Sequence, residues 1–581
     1  MAVLPIAEIL ARGLLHFGIP GSGPFVQHLT LWVAFLGAAL AAREGRLLAL
    51  ATTTFIPEGR WRRAAEIFSS AVGACVAALL GRAAAELVVV EKGAGTLIAA
   101  GVRVWMALLV LPLAFGLIAV RLVWRASPRP LGRLLAGAGL AVGLWIGQFP
   151  GLLQGKPLWP GLAILGLATA LGGPLFALLG GAAVWLFLGA GEPIAAVPVE
   201  TYRLTVSATL PAIPLFTLAG FFLSEGQSSR RLLRVFRALF GWIPGGTAVV
   251  CAVVCAFFTA FTGGSGVTIL ALGALLFQAL REDSYRERFS LGLLTATGSL
   301  GLLFAPSLPL ILYGIVAQIR IEDLFLGGML PGLLLLALTA AWGVREGALT
   351  GAGRSRFEWR EVGGALNEAK WELLLPAVVL VAIFGGFATV VEASALTVLY
   401  AFFMQCFVHR DLSVGRDVPR VLLHSVVLVG GVMVILGAAM GLTSYMVDAE
   451  VPAKVLEWTE GHVHSPLVFL LYLNLFLLVV GCLMDIFSAI VVVVPLIVPV
   501  GMAFGINPVH LGIIFIANLE LGYLTPPVGL NLYLASFRFG RPMLEVTRAA
   551  VPMLLILGFG VLVITYVPWL TTGVLKALGR G

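Results

Sequence analysis

Gly263-Gly264-Ser265-Gly266, followed by Ala305-Pro306-Ser307-Leu308-Pro309, has a counterpart in Gly481-Cys482-Leu483-Met484-Asp485, followed by Thr525-Pro526-Pro527-Val528-Gly529. Each pair is a tip between two apolar legs and then a proline break inside a later apolar stretch. The interval from tip to break is 42 residues from Gly263 to Ala305 and 44 from Gly481 to Thr525. Each block opens on an amphipathic stretch, 228–242 in the first and 448–464 in the second. A single break would read as an ordinary kink. Two breaks, each matched to a tip, argue for an internal repeat offset by about 220 positions, a signature of secondary transporters. The repeats span about 207–345 and 421–570.

The solvent these legs require is lipid. Of the 581 residues, 60% are hydrophobic and 11% charged, against about 25% charged in a soluble domain. A crossing helix needs about 20 mostly apolar residues, and more than ten such stretches are present. The 70 Gly and 31 Pro suit membrane helices, whose neighbours satisfy the freed backbone groups. The expected fold is therefore an all-α, multi-pass integral membrane protein with inverted repeats, two re-entrant helical hairpins and broken helices.

The net charge is +8, but its arginines lie in short loops rather than on one face. That excludes a nucleic-acid surface and fits the positive-inside rule. The basic loops fall at 43–63, 121–133, 230–237, 281–288, 345–370, 409–420 and 538–548, and all are assigned to the cytoplasm. The acidic arm at 448–460 then faces outward. The first hairpin lies between two Arg-rich loops. The second lies between the acidic arm and the uncharged Gly505-Ile506-Asn507-Pro508 turn. The hairpins are thus expected to enter from opposite faces. The first hairpin's legs, 245–263 and 266–280, would measure ~27 and ~21 Å at ~1.5 Å per residue, against a core of ~30 Å.

The chain divides near residue 155, into a domain at 1–155 and a larger one at 156–581. Helices are expected at 3–18, 24–42, 64–90, 98–124 and 133–149, then at 162–188 and 207–224. If 133–149, 162–188 and 207–224 all crossed, the 230–237 loop would fall outside, so at least one lies in the interface. Cys75, Cys251, Cys255, Cys406 and Cys482 sit in apolar stretches without metal-ligand spacing and read as small buried residues.

A broken helix frees carbonyl oxygens on one half and N–H groups on the other, and a membrane tolerates these only where they line a cavity. Free carbonyls suit a hard cation; half-helix N-termini suit a carboxylate. The candidate cation ligands are Gly263, Gly264, Ser265, Gly266, Gly301, Ala305 and Pro306 in the first block. In the second they are Gly481, Asp485, Thr525, Pro526, Pro527 and Gly529. The candidate substrate contacts are Ser265, Thr268, Ser307, Asp485, Asn518, Glu520 and Asn531. Asp485 stands inside an apolar run, where a carboxylate is costly unless paired, capping or functional. Glu520 precedes the second break, with a pairing to arginine as the alternative. Glu392 and Glu86 are expected near helix ends, His424 and His510 at the interface.

Several runs resemble the large membrane subunit of tripartite ATP-independent periplasmic (TRAP) transporters. They are Met484-Asp485 with Pro495 and Pro499, Gly505-Ile506-Asn507-Pro508-Val509-His510, Asn518-Leu519-Glu520-Leu521-Gly522, Thr525-Pro526-Pro527-Val528-Gly529-Leu530-Asn531-Leu532, Ile213-Pro214-Leu215-Phe216-Thr217-Leu218-Ala219-Gly220 and Asp323-Leu324-Phe325-Leu326-Gly327-Gly328. The likeness covers about 160–575. Residues 1–155, with Ala42-Arg43-Glu44-Gly45-Arg46 closing an early helix, are similar to the small subunit. The resemblance implies an elevator-type importer of small organic anions in the bacterial inner membrane. It implies Na⁺ as the coupling ion, no other cofactor, and delivery by a periplasmic binding protein. It also implies that the tips and breaks build cation sites and flank the substrate. One departure is Gly266-Val267-Thr268-Ile269-Leu270, where many relatives carry Ala-Asp soon after the tip.

Proton coupling through Asp485 or Glu520 remains open at this level. So does a related carboxylate transporter needing no binding protein. An uncoupled channel is a weaker alternative. Gly263-Gly264-Ser265-Gly266 also resembles an intramembrane serine-hydrolase motif, but such a nucleophile needs a general base within hydrogen-bond reach. No phosphate-binding loop ending in Lys-Ser/Thr occurs, which excludes ATP as the energy source by that route. Expected docking surfaces are the 91–96 turn, the 448–464 arm and the outer ends of the hairpin legs.

Overall fold

The computed structural model describes residues 1–49, 59–353, 356–526 and 528–580. Among these, ten helices are long and apolar enough to cross a membrane, and a helix pair bent by 46° at the first break makes an eleventh span if taken as one. The strands among the described residues are two short ones, Leu97–Ala99 and Val102–Arg103, paired antiparallel. The architecture is the all-helical membrane fold expected.

Contacts divide the chain into two units. The first comprises Met1–Pro214, Leu422–Val455 and Val491–Leu496. Its helices Ser22–Glu44, Arg60–Ala94, Val110–Arg125 and Pro130–Ile146 fall close to the stretches expected from hydropathy. Small residues let their backbones meet. A Cβ on Gly139 or Gly143 would run into the main chain of Ala71 or Cys75, the small-xxx-small contact by which membrane helices associate. The expected helix at 162–188 is two helices, Trp159–Ala170 and Leu175–Ala190. Gly172, at φ +89°, and Pro174 between them end one and start the other. With 12 residues, the first of the two is shorter than the ~20 a crossing needs.

The second unit comprises Leu215–Val421, Leu456–Ile490 and Ile497–Gly581. It holds both tips and both breaks. The first hairpin is Gly246–Thr262 and Ser265–Glu282; the second is Pro466–Leu483 and Ile486–Ala503, whose middle turns cluster with the first unit. The outgoing leg of the first hairpin has 18 residues, longer than the 14 expected, because the helix runs on through Arg281 and Glu282. The first break is a 3-10 turn, Leu300–Leu303, followed by helix Leu308–Ala317; the second lies between helices Pro508–Gly522 and Leu530–Phe539.

The amphipathic helix Ser228–Phe240 that opens the first block is tied down by a buried ionic cluster. Arg231 Nε donates to Glu372 at 2.5 Å and its Nη2 to Asp411 at 2.7 Å. The Ser228 hydroxyl reaches Glu372 at 3.3 Å, and the Gln227 amide reaches Asp411 at 3.0 Å. His409 Nε2 lies 3.6 Å from Glu372. Burial pushes the Asp411 carboxyl up, but Arg231, the Gln227 amide and His409 outweigh it and leave it below its ordinary value. Its stabilisation is therefore complete above the unfolded carboxylate range, about 4, and is lost as pH falls through the lower folded value.

Two outcomes follow. Arg231→Leu strands two buried carboxylates and should cost about 3–5 kcal/mol, read as a lowered melting temperature in detergent near neutral pH. A melting point equal to the parent's would show the cluster to be idle. Cysteines placed at Ser284 and Glu457, on a background without native cysteines, should be labelled from opposite faces of the membrane. Labelling from one face would rule out the inverted repeat.

Candidate transport site

At the first tip the chain reverses within two residues. Gly263 closes the incoming leg at φ +67°, donating its N–H to Thr259 O at 2.8 Å, and Gly264 is extended. A side chain at 263 would be strained by that φ and would collide with Leu308, just past the break. Gly301 lies against the incoming leg so closely that a Cβ would sit 2.6 Å from Ala260 N. Thr259 Oγ1 donates to Gly298 O at 2.8 Å and shares a 2.7 Å hydroxyl contact with Thr268. The first tip is thus seated on the first break. Ala305–Pro306 is cis, and Ser307 stands at the N-cap position of helix Leu308–Ala317 in an extended conformation, its hydroxyl making no cap hydrogen bond.

The second tip repeats this relation. A Cβ on Gly522 would lie 2.6 Å from Gly481 Cα, so the helix before the break meets the tip backbone to backbone. Gly529 N–H donates to Cys482 O at 3.2 Å, Asn531 N–H to Tyr523 O at 3.2 Å, and Ile486 N–H to the Tyr523 hydroxyl at 2.6 Å. Thr525 Oγ1 turns back to Leu521 O at 3.0 Å. Pro526 is exposed, and Pro527 lies outside the described residues. Asp485 is the N-cap of Ile486–Ala503. Its carboxylate accepts from the amides of Phe487 and Ser488 at 3.0 and 3.1 Å and from the Ser488 hydroxyl at 2.5 Å.

The two junctions are joined. Asn531 Nδ2 donates to Thr295 O at 3.1 Å and lies 3.4 Å from Ser299 Oγ. Gly266 faces Leu534, and Gly298 faces Ile269. Several buried polar atoms here have no hydrogen-bond partner: the hydroxyls of Thr262, Ser265 and Ser307, Asn531 Oδ1, and both oxygens of Glu520. Buried polar groups are ordinarily satisfied, and a carboxylate 2% exposed with no donor requires a proton or a cation.

Two residues are engaged otherwise. Asn518 Nδ2 donates to Asn474 Oδ1 at 2.6 Å and to Ile514 O at 2.9 Å, and Thr565 Oγ1 donates to the same Asn474 oxygen at 3.1 Å. Asn474 therefore stitches three helices together, and Asn518 is one of its two donors. His510, expected at the interface, is 2% exposed, with Nε2 3.2 Å from Thr565 O and Nδ1 2.9 Å from Thr571 Oγ1. Glu392 caps its helix in a reciprocal pair with Thr389, whereas Glu86 pairs with Arg82 inside helix Arg60–Ala94. Sequence reasoning overlooked Thr259, Thr262, Ser299 and Tyr523. Their proximity to the tips, within a few residues of Gly263, Gly301 and Thr525, was the available signal. Ser265 has no base within hydrogen-bond reach, so the hydrolase arrangement is absent among the described residues.

The DctM component model of the tripartite ATP-independent periplasmic transporters matches residues 162–570, and the DctQ component model matches 1–127. The chain belongs to this family, with small and large subunits fused. It is a transporter of the inner membrane, not an enzyme. The isethionate TRAP transporter permease DctMQ of Oleidesulfovibrio alaskensis is 35% identical over 473 residues, 79% of this chain and 73% of the relative. The C4-dicarboxylate large permease DctM of Vibrio cholerae is 33% identical over 384 residues, covering 63% and 85%. The ectoine/5-hydroxyectoine large permease UehC of Ruegeria pomeroyi is 31% identical over 355 residues, covering 60% and 82%.

Gly522→Ala should separate the second tip from its break. Overpacking of this kind costs about 1–3 kcal/mol, and the melting temperature should fall. Gly558→Ala is the control, since the nearest atom a Cβ would meet there is Leu521 Cδ2 at 3.7 Å. Equal melting of the two variants would show that the close approach at 522 does not matter.

Proposed function

We propose that this TRAP permease imports a small organic anion together with Na⁺, and that a periplasmic binding protein delivers the anion. The observation that carries this reading is the group of unpartnered buried oxygens where the tips meet the breaks. Na⁺ is a hard cation held by carbonyl, hydroxyl and carboxylate oxygens. The first junction offers these from Gly263 to Gly266, Gly301, Ala305 and Pro306. The second offers them from Gly481, Asp485, Thr525, Pro526 and Gly529. Unwound carbonyls and half-helix ends are the usual ion ligands of secondary transporters, with half-helix N-termini turned toward anionic substrate groups. Ser265, Thr268, Ser307 and Asn531 are the proposed contacts of such an anion, with Asp485 and Glu520 reaching it only through a shared cation or proton. Asn518 contributes through helix packing. The relatives named above carry isethionate, C4-dicarboxylates or ectoine by name, each with an anionic group, which supports an organic acid here. Both junctions fall within one contact unit, which suits an elevator movement of that unit.

Purified chain in proteoliposomes, supplied with its binding protein and substrate, should take up substrate when Na⁺ is high outside. Removing the Na⁺ gradient should abolish accumulation. Equal uptake driven by a proton gradient alone would reassign the coupling ion. Full-rate uptake without the binding protein would favour a stand-alone carboxylate transporter.

A further inference from the structure

The second unit contains a small cavity that the transport chemistry does not use. It has a volume of about 150 Å³ and is lined by Arg286, Arg288, Phe289, Trp342, Glu346, Ala549, Pro552 and Met553. It lies where three helices meet: the start of Glu287–Thr297, the end of Ile321–Thr350 and the first turns of Met543–Tyr566. Arg345, Arg541 and Arg548 surround it in sequence, so by charge this is the cytoplasmic end of all three helices.

The two lining arginines are under-used. Arg286 is the N-cap of Glu287–Thr297, and among the described residues its guanidinium pairs with Glu346 alone, at 3.7 Å, with the side chain 69% exposed. Arg288 donates one N–H to Arg548 O at 3.0 Å. That carbonyl is free because Pro552, four residues on, has no N–H to give it. A guanidinium has five donors, so among the described residues most of this pair's capacity meets no protein acceptor. The free amides at the start of Glu287–Thr297 add partial positive charge. Cations, a helix start and a tryptophan at the membrane boundary form a receptor for a phosphate group.

The surface beyond the cavity decides which phosphate. Val551, Leu555, Phe559 and Leu562 follow the cavity along helix Met543–Tyr566 and are 41%, 68%, 61% and 45% exposed. Their spacing puts them on one face, leading from the charged end into the hydrocarbon region. A soluble phosphate has no use for that strip; an acyl chain does. We infer that this cavity binds the phosphate headgroup of an anionic inner-leaflet phospholipid, with the acyl chains along Val551, Leu555 and Phe559. The same helix, Glu287–Thr297, leads directly to Thr295, Gly298 and Ser299 at the first break. Lipid bound at its start fixes the end from which the transport site is suspended.

The test is lipid retention by the intact purified chain, read by native mass spectrometry after exchange into detergent with phosphatidylglycerol, phosphatidylcholine or inorganic phosphate. Phosphatidylglycerol should be retained at least fivefold over phosphatidylcholine. Arg286→Gln and the double variant Arg286→Gln/Arg288→Gln should lose that preference. Arg416→Gln, which removes a charge from another loop, should keep it. Arg286 makes one long contact, so its replacement tests the site without threatening the fold. Leu555→Ser/Phe559→Ser should weaken lipid retention severalfold and leave the arginines intact. Equal retention of both lipids, or full retention by the double variant, would overturn the site. Displacement of lipid by millimolar phosphate, with serines on the strip having no effect, would overturn the assignment to a lipid.

Discussion

Everything in the second unit depends on how unpaired backbone is kept away from lipid. Two tips and two breaks leave carbonyls and amides without helical partners, and in a bilayer each would cost several kcal/mol. The structure meets this constraint by pressing each tip against the break of its own repeat. Gly481 meets Gly522 and Gly301 meets the Ala256–Ala260 turn, at distances that a methyl group would prevent. The glycines are therefore required by the contact between chain segments rather than by helix flexibility.

The repeats also exchange partners. Asn531, after the second break, bonds to Thr295 and Ser299, just before the first. Helix Pro508–Gly522 packs in turn against the first block, with Gly512 facing Tyr313 and Leu324, and the Tyr313 and Phe515 rings 5.6 Å apart. Neither block could bury its broken helix alone. The exchange ties the irregular segments of the two blocks to each other.

The tips and breaks were legible because glycine and proline act locally and their spacing repeats. The helix split at Gly172-Gly173-Pro174 carried the same local signal, but the apolar run continues on both sides and masked it. What stayed hidden were pairings across long separations. Nothing near Asn518 announces Asn474, 44 positions away, or Thr565. Arg231 reads as one of a row of loop arginines, although Glu372 and Asp411 bury it. His510 likewise finds its partners only after the last two helices fold back.

The two carboxylates singled out from the sequence differ in what they demand. Asp485 receives two amides and a hydroxyl, so its charge is met by a helix start. Three donors already occupy it, and a cation binding there would share the carboxylate with its own cap. Glu520 has no donor among the described groups and lies almost wholly out of water. A charge in that position needs a counter-ion or a proton at every stage of a transport cycle. A proton requires only the carboxylate. Na⁺ requires several further oxygens within reach, and the unpartnered hydroxyls of Thr262, Ser265 and Ser307 and the amide oxygen of Asn531 are gathered at the junction that Asn531 shares with the first break. Those idle oxygens have no role in proton binding, and that is the ground on which Na⁺ rather than a proton is proposed as the coupling ion.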